Sequence, residues 1–357
     1  MRVYINFLSI IFFRSLLFVL MIIFCLVFLL NLLNELEFFK NENVEISLTL
    51  FLSLLNSPIQ IFELFPFIML ITIQLFFIKI FENKEIEIFK YSGLKNSSIL
   101  LILSILSFIT GILVITIFYN LSSNFKNIYL EIKSEYTVDG KYLAVITKNG
   151  LWIKDKIDDK ILITNASAIN QNYLTNSFIT EFDEDFNVIR NIQSDKIDIL
   201  NKEWKISNAK IYKNNDYIKK DTIKLLTNFD EKRVQTLYSI LSALSFLELY
   251  ELRENYKKLN YSTTDLDMHL FRLICYPFFL LLISLLSSLL MFNIKQIKGA
   301  TFKISIGLFF SVVIYYLNNF SYVLGSTERI SIFVSVLTPL LILLITNSLM
   351  LYKINEK

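Results

Sequence analysis

The stretch Phe81-Glu-Asn-Lys-Glu-Ile-Glu-Ile-Phe-Lys-Tyr-Ser-Gly93-Leu-Lys has the residue types and spacing in this chain that best fit a chemical task. That task would be grip rather than catalysis. Ile86 and Phe89, with Tyr91 as a third candidate, fall on one stripe of a short helix, while Glu82, Glu85 and Lys90 take the polar side. Gly93 suits a helix stop. Such an amphipathic helix, lying against a membrane, can dock a cytosolic partner. A solvated connector would have the same composition, and the sequence leaves both readings open.

Catalytic chemistry finds little support. No GxxxxGK[ST] loop occurs, so the common phosphate cradle is missing, and Asp139-Gly-Lys reads as a turn. His269 is the single histidine, which leaves no basis for a His-centred triad or a His-rich metal site; near a membrane boundary it reads as an interfacial side chain before a catalyst. Cys25 and Cys275 both lie in apolar runs and read as small buried hydrophobes, not as a disulfide or metal ligands. The expectation is a protein that is not itself an enzyme, with no cofactor and no metal.

The elements that position the Glu82–Gly93 stretch follow from composition. Of 357 residues 54% are hydrophobic, an apolar excess that makes lipid part of the solvent. A net charge of +3 without a basic, aromatic-rich cluster argues against nucleic acid as a partner. A bilayer crossing takes about 20 apolar residues of helix. Six runs qualify: Phe7–Leu33, Ile59–Phe81, Ile99–Leu121, Leu270–Phe292, Ile304–Leu324 and Ile330–Leu351. The first is too long for a signal-peptide core and lacks a small-x-small cleavage site, so it is expected to stay as a span. Glu63 and Lys79 read as near-terminal charges able to snorkel.

Basic residues favour the cytoplasmic side. They gather at the N-terminus (Arg2, Arg14), after the second span (Lys84, Lys90, Lys95), after the fourth (Lys295, Lys298, Lys303) and in the tail (Lys353, Lys357). By contrast, Leu36–Pro58 holds only Lys40 among glutamates, and the last hairpin loop only Arg329. Both termini are therefore expected in the cytoplasm and the long insert outside. Within that insert, Lys141–Thr147, Lys160–Asn165, Phe186–Ile192, Lys196–Leu200 and Glu203–Tyr212 are short, β-branched or aromatic runs separated by Asn, Asp and Gly, which predicts an all-β sandwich or open roll. Glu231–Leu259 reads as helical and leads back to the fourth span.

Several stretches resemble the LptF/LptG family of lipopolysaccharide-export permeases. Asn83-Lys-Glu85-Ile-Glu87-Ile-Phe89-Lys-Tyr-Ser-Gly93-Leu94 is similar to the family's "sEl-alraaGl" loop, and Pro66 falls where the family has its proline. Gly150-Leu-Trp152-Ile-Lys-Asp155 resembles "GlWlrd", with a lean toward the LptG member. Ser245-Phe-Leu-Glu-Leu, Tyr261, His269-Leu-Phe-Arg272 and Pro277 resemble the approach to the fourth span, and Asn319-Phe-Ser-Tyr-Val-Leu-Gly325 and Pro339 fit the last two. The likeness covers nearly the whole chain.

The resemblance implies an α-helical membrane protein of six transmembrane helices, three plus three, with an inserted all-β, jellyroll-like periplasmic domain. The boundaries expected are 1–121 for the first three spans, 122–268 for the outer domain with its helical end, and 269–357 for the last three spans. It further implies the non-catalytic half of an ABC exporter in the inner membrane of a Gram-negative bacterium. Implied partners are a cytosolic ATPase dimer, a paired LptF/LptG-type permease, LptC/LptA-like periplasmic β proteins, and lipopolysaccharide. Glu82, Glu85, Glu87, Phe89 and Gly93 would form the ATPase-coupling helix. The lipid's phosphates would need cations near the outer boundary, for which Lys40, Lys126, Lys133 and Arg329 are the candidates, each equally readable as an ordinary interfacial side chain. Glu35, Glu37, Glu42 and Glu45 crowd the exit of the first span, where the family tends to be basic; that departure is consistent with a less phosphorylated lipid or with bridging divalent cations. A lipoprotein-release permease, usually of four spans, fits less well. A non-transporting sensor or scaffold, or a membrane enzyme, stands as the alternative from another class.

Overall fold

The computed structural model describes residues 2–40, 44–134, 136, 151–157, 160–170, 172–183, 186–213, 216–231, 234, 241–258, 262–294 and 299–355. The strand expected at Lys141–Thr147 and residues Glu42, Asp139, Gly150, Tyr261, Lys295, Lys298 and Lys357 lie outside this set, as do the side chains of Lys90 and Lys353. The described helices are α1 (Arg2–Phe38), α2 (Ile46–Glu82), α3 (Glu85–Tyr91), α4 (Asn96–Leu113), α5 (Asn120–Ser134), α6 (Phe246–Lys258), α7 (Thr264–Asn293), α8 (Ala300–Ser326) and α9 (Ile332–Asn355). A π-helical turn, Val114–Tyr119, joins α4 to α5. Two compact units form, one from Met1–Phe125 with Thr264–Lys357 and one from Lys126–Thr263.

Among the described residues six helices are long and apolar enough to cross a membrane. They run past the apolar limits read from sequence because a helix satisfies its own backbone amides whether or not hydrocarbon surrounds it. The largest difference is in α2, which begins at Ile46 rather than Ile59. Leu36–Pro58 is therefore mostly helix, and Glu63 stands near the middle of α2 rather than at an end. Its exposed carboxylate acts electrostatically on Arg272 of α7. Lys79 does lie in the last turn, with Nζ 3.5 Å from Ser15 Oγ on α1.

The centre of this unit is α2 against α7, where Leu70 packs with Phe279, Ile283, Leu286 and Leu290, closed by Ile314 of α8 and Leu343 of α9. Lipid offers little hydrophobic drive between helices, so packing and interhelical hydrogen bonds carry the association. Tyr276 donates to the Phe62 carbonyl at 3.0 Å, Ser287 to Leu70 at 2.9 Å, and Asn347 to Leu282 at 2.9 Å. Gln74 reaches the Lys303 carbonyl at 3.0 Å. Gly111 of α4 lies so close to α7 that a Cβ there would stand 2.7 Å from Pro277 Cα. Helix α1 is held to α2 by Asn31, which donates to Ser57 Oγ (3.1 Å) and accepts from Asn56 (3.2 Å) and Gln60 (2.8 Å).

The second unit carries a six-stranded antiparallel sheet in simple meander order: β1 (Leu151–Ile157), β2 (Lys160–Asn170), β3 (Tyr173–Phe182), β4 (Val188–Asp198), β5 (Glu203–Lys213) and β6 (Asp216–Leu226). The fold is thus a helical membrane protein with an inserted β domain. The runs read separately as Phe186–Ile192 and Lys196–Leu200 belong to the one strand β4. The reason is a kink shared by three strands. Inward residues are spaced by three, not two, at Leu174/Ser177, Ser194/Ile197 and Ile206/Ala209, and Asn176 and Asn208 take positive φ (47° and 50°) at the same level. One sheet face is buried: Leu151, Ile153, Leu162, Ile179, Ile192 and Trp204 are all inside. Three of its polar groups are paired as follows. Asp155 accepts from the Asn228 backbone and amide, both at 2.8 Å, Trp204 donates to the Phe229 carbonyl at 2.8 Å, and buried Glu181 meets Arg190 at 2.5 Å.

Candidate functional site

The Glu82–Gly93 stretch forms a two-faced helix. After α2 the chain turns through Asn83 and Lys84, whose φ of 56° lets the direction change within two residues. Helix α3 then stops at Gly93, φ 78°, with Leu94 N–H donating to the Phe89 carbonyl at 2.9 Å. Only an achiral residue takes that conformation without strain. The inner face holds Ile86, fully buried, and Phe89, edge-on to Phe7 of α1 with ring centroids 5.9 Å apart. Glu85 lies partly inside. Its Oε1 accepts from Asn83 at 3.2 Å, and its Oε2 is shut from solvent without a hydrogen bond. Glu82 and Glu87 are exposed.

Two expectations are corrected here. Tyr91 is not on the apolar stripe but 92% exposed, beside Ile88 at 61%. At about 100° per residue, five positions from Ile86 carry Tyr91 well off that face, whereas three keep Phe89 on it. Glu85, placed on the polar side, is half-buried for the same reason, four positions before Phe89. The result is a short helix gripped from within and presenting Glu87, Ile88 and Tyr91 outward. Exposed apolar side chains on an anchored helix make a surface for a partner.

Of the four cations, the structure brings two together. Lys126 and Lys133 of α5 flank Tyr129. Lys133 Nζ donates to the Tyr129 hydroxyl at 2.8 Å, and Lys126 Nζ sits 4.5 Å from the ring centroid. Lys133 is buried, not an open interfacial lysine. Lys40 is exposed just past the end of α1, and Arg329 is exposed in the turn between α8 and α9. Of the acidic group at the exit of the first span, Glu35 is buried.

Three polar clusters between the helices carry contacts that the sequence did not show. One is the Asn31 seam. Another is Arg272, whose guanidinium lies 4.7 Å from the Tyr322 ring centroid on α8. The third is the Tyr119–His269 contact at 3.0 Å, which ties the π-turn to α7 and makes the single histidine a helix-to-helix contact. The available signal was the presence of polar residues inside apolar runs, where they rarely stand without a partner.

Comparison with curated proteins gave no match. The family model described as lipopolysaccharide export system permease LptF/LptG matches residues 8–353, from the start of α1 to the end of α9 and through the whole inserted sheet. The chain therefore belongs to the LptF/LptG family of lipopolysaccharide export permeases, multi-pass proteins of the inner membrane.

Proposed function

We propose that this chain is one permease half of an ABC exporter that lifts lipopolysaccharide, or a related glycolipid, out of the inner membrane. In this reading both termini and α3 are cytoplasmic, the sheet unit is periplasmic, and a separate ATPase dimer hydrolyses ATP beneath the bundle. A second LptF/LptG-type permease completes the cavity, and LptC/LptA-like β proteins take the lipid onward from the sheet unit, whose "GlWlrd"-like stretch favours the LptG role. The observation that carries the proposal is the build of α3. Ile86 and Phe89 fasten it to α2 and α1, so a push on its outer face, Glu87, Ile88 and Tyr91, is passed to the spans rather than absorbed in a loose loop. Glu85 serves as the post under that face, and Glu82 and Gly93 bound it. The pair Lys126/Lys133 around Tyr129, with Lys40 and Arg329, supplies cations for lipid phosphates.

The test uses the chain co-expressed with its neighbouring subunits and purified in detergent. Ile88→Asp and Glu85→Lys should lose the ATPase subunit and lipid release from proteoliposomes, while the permease remains a folded monodisperse protein. Retention of the ATPase by Ile88→Asp refutes the coupling role. A complex that holds an ATPase but no lipid refutes the transport role alone.

A further inference from the structure

The solvent face of the sheet differs from its buried face in a regular way. Successive register pairs place Trp152, Asn165, Phe178, Gln193, Lys210 and Lys219 in one row across all six strands. Directly opposed residues of an antiparallel sheet share a face, so these side chains project together. Trp152 is 54% and Phe178 42% exposed, two strands apart, which is about 10 Å. The next row carries Ile163, Thr180, Asn191, Tyr212 and Tyr217. Tyr212 and Tyr217 pair with ring centroids 6.0 Å apart, and the Tyr212 hydroxyl donates to Gln193 Oε1 at 3.3 Å.

From this arrangement we propose that the outer sheet face is a binding platform for an anionic oligosaccharide. Aromatic rings offer flat faces to the C–H side of a sugar ring, and a side-chain amide matches a pair of vicinal hydroxyls with one donor and one acceptor. The separation of Trp152 and Phe178 spans a disaccharide. A protein interface would concentrate apolar side chains at its centre. Here the Asn165 amide stands between the Trp152 and Phe178 rings, and the Gln193 amide follows Phe178, which suits a ligand with a hydroxyl at nearly every carbon. The charge is one-sided as well. Neither row contains a carboxylate, while Lys210 and Lys219 sit at its β5–β6 end, so the face complements carboxylate or phosphate on the glycan. This goes beyond the transport reading, which concerns α3 and the membrane bundle; failure of one leaves the other standing.

The experiment titrates the full-length chain in detergent with a hyaluronan tetrasaccharide, which carries uronic acid, and with neutral maltotetraose. Calorimetry measures affinity and tryptophan emission gives a second readout. The chain has two tryptophans, and Trp204 is buried, so a blue shift on binding reports Trp152. The expected result is binding of the acidic sugar at least tenfold tighter than the neutral one. Trp152→Ala and Phe178→Ala should each weaken it tenfold or more, and Lys210→Gln with Lys219→Gln should erase the preference for the acidic sugar. These side chains are exposed, so unchanged Trp204 emission verifies folding in each variant. No saccharide binding at millimolar concentration overturns the proposal, as does affinity unchanged by Trp152→Ala. Photocrosslinking from Tyr217 to a protein subunit, with no saccharide competition, assigns the face to a protein and overturns it too.

Discussion

Replacing Asn31 by alanine should loosen α1 from α2 more than truncating its partner Ser57 or the outward Leu30. Asn31 is 1% exposed and makes three interhelical hydrogen bonds, to Ser57, Asn56 and Gln60. Interhelical bonds in membranes average about 0.6 kcal/mol and reach about 1.7. Three at the mean amount to about 2 kcal/mol. Losing the shared Asn31 acceptor of Asn56 and Gln60 within the seam adds about 1 kcal/mol of desolvation cost. The expected loss is therefore about 3 kcal/mol. Ser57→Ala removes one bond and should cost about 0.6 kcal/mol, and Leu30→Ala on the exposed side of α1 should stay within about 0.5. The assay is reversible unfolding of the detergent-solubilised chain by added denaturing detergent, followed by helix content. If Asn31→Ala loses no more than Ser57→Ala, the seam is not what holds α1, and the reasoning from hydrogen-bond geometry fails.

Gly111→Ala places a methyl 2.7 Å from the Pro277 backbone, so α4 and α7 must separate; a loss of about 1–3 kcal/mol in the same unfolding assay is expected. Arg190→Met strands the Glu181 carboxylate, only 2% exposed, and should cost about 3–5 kcal/mol of sheet stability. The double variant Glu181→Leu/Arg190→Met should recover most of that loss, as read by hydrogen exchange of β3 and β4. Asp155→Ala removes both of its bonds to Asn228, so exchange protection at residues 227–229 should fall by about tenfold or more while β4 is unaffected.

The membrane spans were legible because hydrocarbon solvates apolar side chains and nothing else, and that demand is written as long uninterrupted runs. Their ends were not, because helix outlasts hydrocarbon: Ile46 and Thr264 begin α2 and α7 well before the apolar runs do. Strands β2 and β5 were legible in part, from β-branched alternation at Lys160 and Trp204. Strand β4 read as two because its inward spacing changes from two to three between Ser194 and Ile197. Strands β1, β3 and β6 escaped notice; β6, an edge with one flank exposed, carries Lys219, Lys220 and Lys224 where a central strand would be apolar. At α3 the heptad-like stripe identified Ile86 and Phe89, but assigning the outer face required knowing that α1 supplies Phe7 as the other wall. The Asn31 seam was hidden by composition. In a chain this rich in asparagine, a single one inside an apolar run carries no signal until its partners on α2 are seen.

The hydrogen bonds from α7 to α2 join residues 214 and 217 positions apart, with the whole sheet unit between them in the chain. During synthesis the first three spans must therefore wait for their partners while residues 126–263 emerge. At ribosomal rates that interval is on the order of ten seconds. The sheet itself pairs only sequence neighbours, so it closes fast and does not depend on the arrival of the last three spans. The nascent chain thus spends its most exposed period with the Asn31 hairpin already formed and the Leu70, Gln74 and Phe62 carbonyl surface of α2 still uncovered, which makes that surface the natural target for any insertion factor or quality-control protease that surveys half-made permeases.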